Sequence, residues 1–206
     1  MTETTRTNFD LCARIEDTLP NFDLNFYNPL TDDVEKKSIE DFRGKWLVLF
    51  FYPADFTFVC PTELKDLNQK FDEIKQMWNV ETMVVSVDSV FSHKSRIESE
   101  PLLKGFNFPM ISDRTTALSR YFGILNQDSG NAERWAFIIS PEWVLKTIEI
   151  HTDPVGRSAK ELVRKLYALK FVTENKWHAC PASWENDMKT MQPTIKKAGN
   201  AWETLS

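Results

Sequence analysis

The chain has 206 residues, 42% of them hydrophobic and 27% charged, with a formal net charge of -5. That composition suits a globular chain long enough to bury a full core and excludes a disordered one. The acidic balance argues against a general nucleic-acid binder, and the longest apolar run, WLVLFFY at 46–52, is far too short to span a bilayer.

In chain order, the first segment, MTETTRTNFD, is polar and lacks the apolar core of a secretory signal, so a cytoplasmic location is expected. A polar arm leads to Pro20, and a turn-rich stretch, NPLTDD, covers 28–33. The continuous apolar run at 45–52 predicts a strand covered on both faces. After Pro61, the residues Leu64, Leu67, Phe71, Ile74 and Trp78 are spaced 3, 4, 3 and 4, which predicts one helix over 61–78 with a single apolar face. VETMVVSVD (80–88) reads as a strand, 92–104 as a helix broken at Pro101, and 109–112 as a short strand. A helix over 115–122 is stopped by Gly123. RWAFIIS (134–140) and VLKTIEIHT (144–152) form a hairpin. Ser158 caps a long helix running to Glu174, with Leu162, Leu166 and Leu169 inward. From Asn175 onward the chain is polar and dotted with tryptophan, a tail. Strands alternating with helices predict an α/β fold with a central mixed sheet flanked by helices, over residues 1–174, followed by the tail at 175–206.

Three cysteines, Cys12, Cys60 and Cys180, are too few for a disulfide scaffold and lack the paired spacing of a zinc site. Cys12 follows no motif and reads as an incidental or structural thiol. Cys60 falls where the 61–78 helix begins. Pro61 suits the first helical position, and Glu63 stands where a capping carboxylate reaches back. Unpaired N–H groups and the positive end of the helix dipole favour a thiolate over a thiol, so the local sequence points to an activated nucleophile. Such a sulfur attacks an acyl group, a disulfide, a metal or a peroxide. Pro53 and Thr57 lie on the preceding loop, where a proline shields the sulfur and a threonine hydroxyl can bond both the sulfur and a substrate oxygen. A cysteine hydrolase would need a histidine beside its sulfur. His93, His151 and His178 read instead as surface or packing residues.

Residues 51–64, FYPADFTFVCPTEL, carry Pro53, Thr57 and Cys60 at the spacing P-x-x-x-T-x-x-C. This stretch resembles the peroxidatic loop of typical two-cysteine peroxiredoxins of the alkyl hydroperoxide reductase C type. The likeness extends to DFRGKW before the strand, VSVDSVFSHK (85–94), FPMISD (108–113) and VGR (155–157). It implies a thioredoxin-like fold and a thiol-dependent peroxidase in which Cys60 becomes a sulfenic acid. Arg134 then matches the family arginine beside the sulfur, and Glu63 and Arg157 match the positions that hold that arginine. Cys180, in CPASW (180–184), is similar to the resolving cysteine, which implies an intersubunit disulfide with Cys60 of another subunit. The resemblance implies neither a cofactor nor a metal. Its partners are a peroxide substrate and a reductant, either a flavoprotein disulfide reductase or a thioredoxin-like protein, with no nucleic acid and no membrane. It also implies a homodimer, assembled as a ring of five dimers that touch around Phe56 and Ser92.

Some positions depart from the family pattern. Trp177, His178 and Ala179 stand where Gly-Glu-Val is common, Trp135 where a small residue follows the arginine, and Arg96 where relatives often carry tryptophan. The segment 123–134 lacks a Gly-Gly-Leu-Gly insertion and the tail lacks a terminal Tyr-Phe helix, so resistance to overoxidation is expected. A redox-regulated holdase is the competing function of a different class. Replacing Cys60 by serine separates the two, because turnover should vanish while holdase activity survives.

Overall fold

Strand β3 (Trp46–Phe51) is buried at every residue, as its uninterrupted apolar sequence requires. The structure, a computed structural model, describes residues 13–195 and 198–200; Cys12 lies outside them. Beside β3 runs β4 (Val80–Ser86), parallel to it, and then β5 (Met110–Ser112), parallel to β4. On the other side β6 (Arg134–Ile139) pairs antiparallel with β3, and β7 (Leu145–His151) closes the expected hairpin with β6. β1 (Asp23–Asn28) and β2 (Asp33–Ser38) add a second hairpin beyond β5. The sheet has seven strands in the order β2-β1-β5-β4-β3-β6-β7 and is mixed, as the α/β reading expects.

The hairpin β1–β2 was not foreseen beyond its turn. β1 does bury Leu24 and Phe26, but β2 reads DVEKKS, with one apolar residue and no buried position. Its strand character comes from pairing with β1 and not from an amphipathic pattern.

The single helix expected over 61–78 is two helices, α1 (Cys60–Asn68) and α2 (Phe71–Gln76). The turn between them resets the helical phase. Leu64, Leu67 and Ile74 are buried, but Met77 takes the next inward place and Trp78 is 81% exposed. α3 (Val90–Ser99) begins at Ser89, whose hydroxyl accepts from Ser92 N, and a short 3-10 turn (Pro101–Leu103) follows it. α4 (Ala117–Tyr121) is held by Asp113, which accepts from Leu118 N at 3.1 Å and Ser119 N at 2.8 Å. Gly123, at φ 69°, ends it in the left-handed region that costs glycine nothing.

Contacts divide the chain into two compact units, 1–157 and 158–206. In the first, Phe51, Phe122 and Phe137 meet at the centre of the core, the last two stacked at 4.0 Å. The second contains α5 (Ala159–Glu174), capped by Ser158 as expected; Leu162 and Leu166 are buried, but Leu169 is only half-buried. The following residues fold back on α5. Phe171 meets Trp184 at 5.1 Å, Arg164 Nη1 donates to Trp184 O at 3.2 Å, and Ala179 bridges Met191. Among the described residues no helix is long and apolar enough to cross a membrane.

Candidate active site

β3 ends at Phe51, and residues 52–59 lead to Cys60, the first residue of α1. Pro61 occupies the first turn, where a missing N–H leaves no bond unmade. Cys60 is free and 2% exposed. The first turn of α1 has no side-chain cap. Glu63, expected to supply one, faces the other way.

Glu63 is buried and takes two guanidinium groups. Arg157 donates to Glu63 Oε1 from its backbone N at 2.7 Å and from Nε at 2.9 Å, and to Oε2 from Nη2 at 3.2 Å. Arg134 Nη1 donates to Glu63 Oε2 and stands 3.6 Å from Cys60 Sγ. Asp153 anchors the far side of Arg134, accepting from Nε through its carbonyl and from Nη2 through its carboxylate, both at 3.0 Å. Arg157 also lies over the Phe50 ring, 3.5 Å from its centroid. Burial alone works against the charge on Arg134, but the Glu63 carboxylate and the Cys60 sulfur outweigh it, so this guanidinium holds its proton more firmly than a free one. Burial pulls Arg157 the opposite way, with Glu63 only partly offsetting it.

Both arginines converge on the Glu63 carboxylate, Asp153 takes Arg134 from its exposed side, and the nearly buried Glu149 carboxylate acts on Arg157. Arg134 Nη1 brings positive charge against the Cys60 side chain, where it favours negative charge on an oxygen being displaced beside the sulfur. The structure thus brings Cys60, Arg134, Glu63 and Arg157 together.

Pro53 and Thr57 are half-buried on the loop before Cys60. The Thr57 hydroxyl, expected to bond the sulfur, donates instead to Ala54 O at 2.9 Å. With its proton committed, that oxygen serves a substrate only as an acceptor.

Sequence reasoning missed the anchor of this loop. Asp55 is buried, accepting from Tyr52 Oη at 2.8 Å and Ser92 Oγ at 2.7 Å, with His93 Nδ1 at 3.0 Å. Its backbone N donates to Asp88 Oδ2 at 2.8 Å. Of the two readings, surface or packing, His93 takes the second: it is fully buried between Asp55 and Ile111 O, as part of a polar network. Asp55 and His93 are 38 residues apart, and no spacing in the sequence joins them. Cys180, in the second unit, is half-buried, with its thiol 3.9 Å from Ala168 O. Among the described residues no three His, Cys, Asp or Glu side chains are grouped to hold a metal ion.

The profile of the AhpC/TSA family matches residues 15–148. Alkyl hydroperoxide reductase C of Amphibacillus xylanus is 42% identical over 159 residues, covering 77% of this chain and 84% of the relative. Among solved structures, Enterococcus faecalis AhpC superposes with a TM-score of 0.77 at 40% identity, covering 82% of this chain and 99% of the other. The reduced 2-Cys peroxiredoxin of Plasmodium vivax gives a TM-score of 0.82 at 27% identity, covering 88% and 94%.

Proposed function

The chain belongs to the AhpC/TSA family, and from that premise we propose that Cys60 is the peroxide-reducing thiol of a two-cysteine peroxiredoxin with the thioredoxin-like fold. The observation that carries this assignment is the 3.6 Å approach of Arg134 Nη1 to a buried Cys60 Sγ at the start of α1.

The Cys60 thiolate attacks one peroxide oxygen. The S–O bond forms as the O–O bond breaks, and the departing oxygen takes a proton and leaves as water or alcohol. Arg134 donates to the oxygens as negative charge passes from sulfur to the leaving group, while Glu63 and Arg157 keep its guanidinium in place. Thr57 Oγ1 accepts the O–H of the incoming hydroperoxide, and Pro53 screens the sulfur from water. The Cys180 thiol of a second subunit then attacks the sulfenic sulfur. An S–S bond forms, the S–O bond breaks, and the hydroxyl leaves as water with the thiol's proton. The 175–206 tail supplies this resolving thiol to the 1–174 peroxidase domain. A dithiol reductant, carried by a flavoprotein disulfide reductase or a thioredoxin-like protein, reopens the disulfide by exchange. The working unit is a homodimer in a ring of five, with dimers meeting around Phe56 and Ser92, in the cytoplasm.

Peroxide consumption with each class of reductant, run beside non-reducing gels, tests the assignment. The expected result is a disulfide-linked dimer in the wild type, turnover abolished in Cys60→Ser, and Cys60 sulfenic acid accumulating in Cys180→Ser. Peroxide turnover that survives Cys60→Ser overturns it.

A further inference from the structure

α3 holds the Cys60 loop at two places. Ser92 and His93 take the Asp55 carboxylate, as described above. One turn further on, Arg96 takes the next two residues of the loop. Its Nη2 donates to Thr57 O at 3.4 Å, and its guanidinium lies over the Phe56 ring, 5.1 Å from the centroid. Phe56 has φ 57°, a conformation unfavourable for an aromatic residue, and its ring is more than half exposed. The contacts from Arg96 hold this unfavourable turn closed four residues before the nucleophile. The Arg96 side chain is itself 8% exposed, and its remaining arm pairs with Glu100, Nη1 to Oε2, at 3.1 Å.

We propose that Arg96 is a positioning residue for the Cys60 loop and that Glu100 sets how easily Arg96 releases it. The inference rests on the function proposed above, in which Cys60 is first oxidised and then resolved. Oxidation needs the loop closed, with Cys60 against Arg134. Resolution needs Cys60 to leave that buried place. Opening strips Arg96 of Thr57 O and of the Phe56 ring, but not of Glu100, which stands four residues along the same helix end. Glu100 therefore supplies the countercharge in the open form. Without it, opening would strand a buried guanidinium with no partner, a costly state.

The two residues then act with opposite sign. Arg96→Met removes the clamp and eases opening. Glu100→Gln keeps the clamp, keeps an acceptor for Leu102 N, and makes opening harder. The test mixes reduced full-length protein with hydrogen peroxide, quenches at intervals, and measures the Cys60–Cys180 disulfide on gels and Cys60 sulfinate by mass spectrometry. Relative to wild type, Arg96→Met should resolve roughly three- to tenfold faster and give less sulfinate, and Glu100→Gln should resolve slower by a similar factor and give more, the scale of one ordinary net hydrogen bond, as suits the long 3.4 Å contact to Thr57 O. Arg96→Lys, charged but without the planar fork, should fall between wild type and Arg96→Met. Opposite shifts are something a general loss of stability does not produce. Variants that move together, or not at all, overturn the inference while leaving the wild-type cycle intact. A wild type that forms no Cys60–Cys180 disulfide overturns the function and the inference with it. Should Arg96→Met fail to fold, Glu100→Gln decides alone, and unchanged or faster resolution overturns the proposal.

Discussion

A β-carbon on Gly156 would stand 3.3 Å from Glu63 Cγ and 3.4 Å from Val59 Cγ1. The glycine is there for space, because the chain entering Arg157 passes directly over the carboxylate that organises the site. Gly156→Ala should push Glu63 away from its two arginines and turn Arg134 off the sulfur. Crowding of this kind costs about 1–3 kcal/mol, and if it falls on the transition state it lowers the Cys60 oxidation rate about tenfold or more. Stopped-flow measurement of the peroxide step should show the loss, with the far-ultraviolet circular dichroism unchanged.

Glu63→Gln keeps the size of the side chain but removes the buried carboxylate. Arg134 and Arg157 would then lose the carboxylate they share, leaving Asp153 to Arg134 and Glu149 to Arg157. Breaking a buried ion pair in this way costs about 3–5 kcal/mol, so urea denaturation should find the variant less stable by that order. The double variant Glu63→Gln, Arg157→Met should recover part of the loss.

Burial pushes the Cys180 thiol above the ordinary range, and the Arg164 charge lowers it only in part. The thiolate is the attacking form. The rate of disulfide formation should therefore keep rising with pH past the ordinary thiol range. Arg164→Gln removes the lowering charge and should displace that profile to still higher pH, as rapid-quench measurements across pH would reveal.

Asp55 should make the fold sensitive to acid. Burial works against its charge, but His93, Ser92 and Tyr52 outweigh it and hold the carboxyl below its usual value. A depressed carboxylate contributes stability above the unfolded value and loses that contribution as pH falls through the folded one. Asp55→Asn should be less stable than wild type at neutral pH and should narrow the gap in that acid interval. Denaturation midpoints taken from neutral to acid pH would check both.

The sheet was legible where side chains alone dictate structure. The WLVLFF run is apolar on both faces, as an inner strand requires, and RWAFIIS and VLKTIEIHT, two strand-forming runs joined by Pro141-Glu142, mark a hairpin. β2 was not legible, because a strand of charged residues owes its form to the neighbour it pairs with. The break at Gln69 and Lys70 was hidden for a similar reason. A 3-4-3-4 spacing is satisfied on paper by Trp78, while the folded chain changes phase and sends Met77 inward. At the site, Cys60, Arg134, Glu63 and Arg157 were named from motif residues and stand together, though Glu63 serves the arginines and not the helix start. The Thr57 proton and the Asp55–His93 network depend on backbone geometry that no spacing encodes.

The two rims of the sheet are unlike. β2 ends it with Asp33, Glu35, Lys36 and Lys37, a fringe that repels any further strand. β7 ends the other side with Ile150 more than half exposed and no further strand beside it among the described residues. Sheets that join through the β7 rim present only β2 fringes to the outside. A union of two copies through that rim would leave only charged edges outside, which disfavour further edge-to-edge growth.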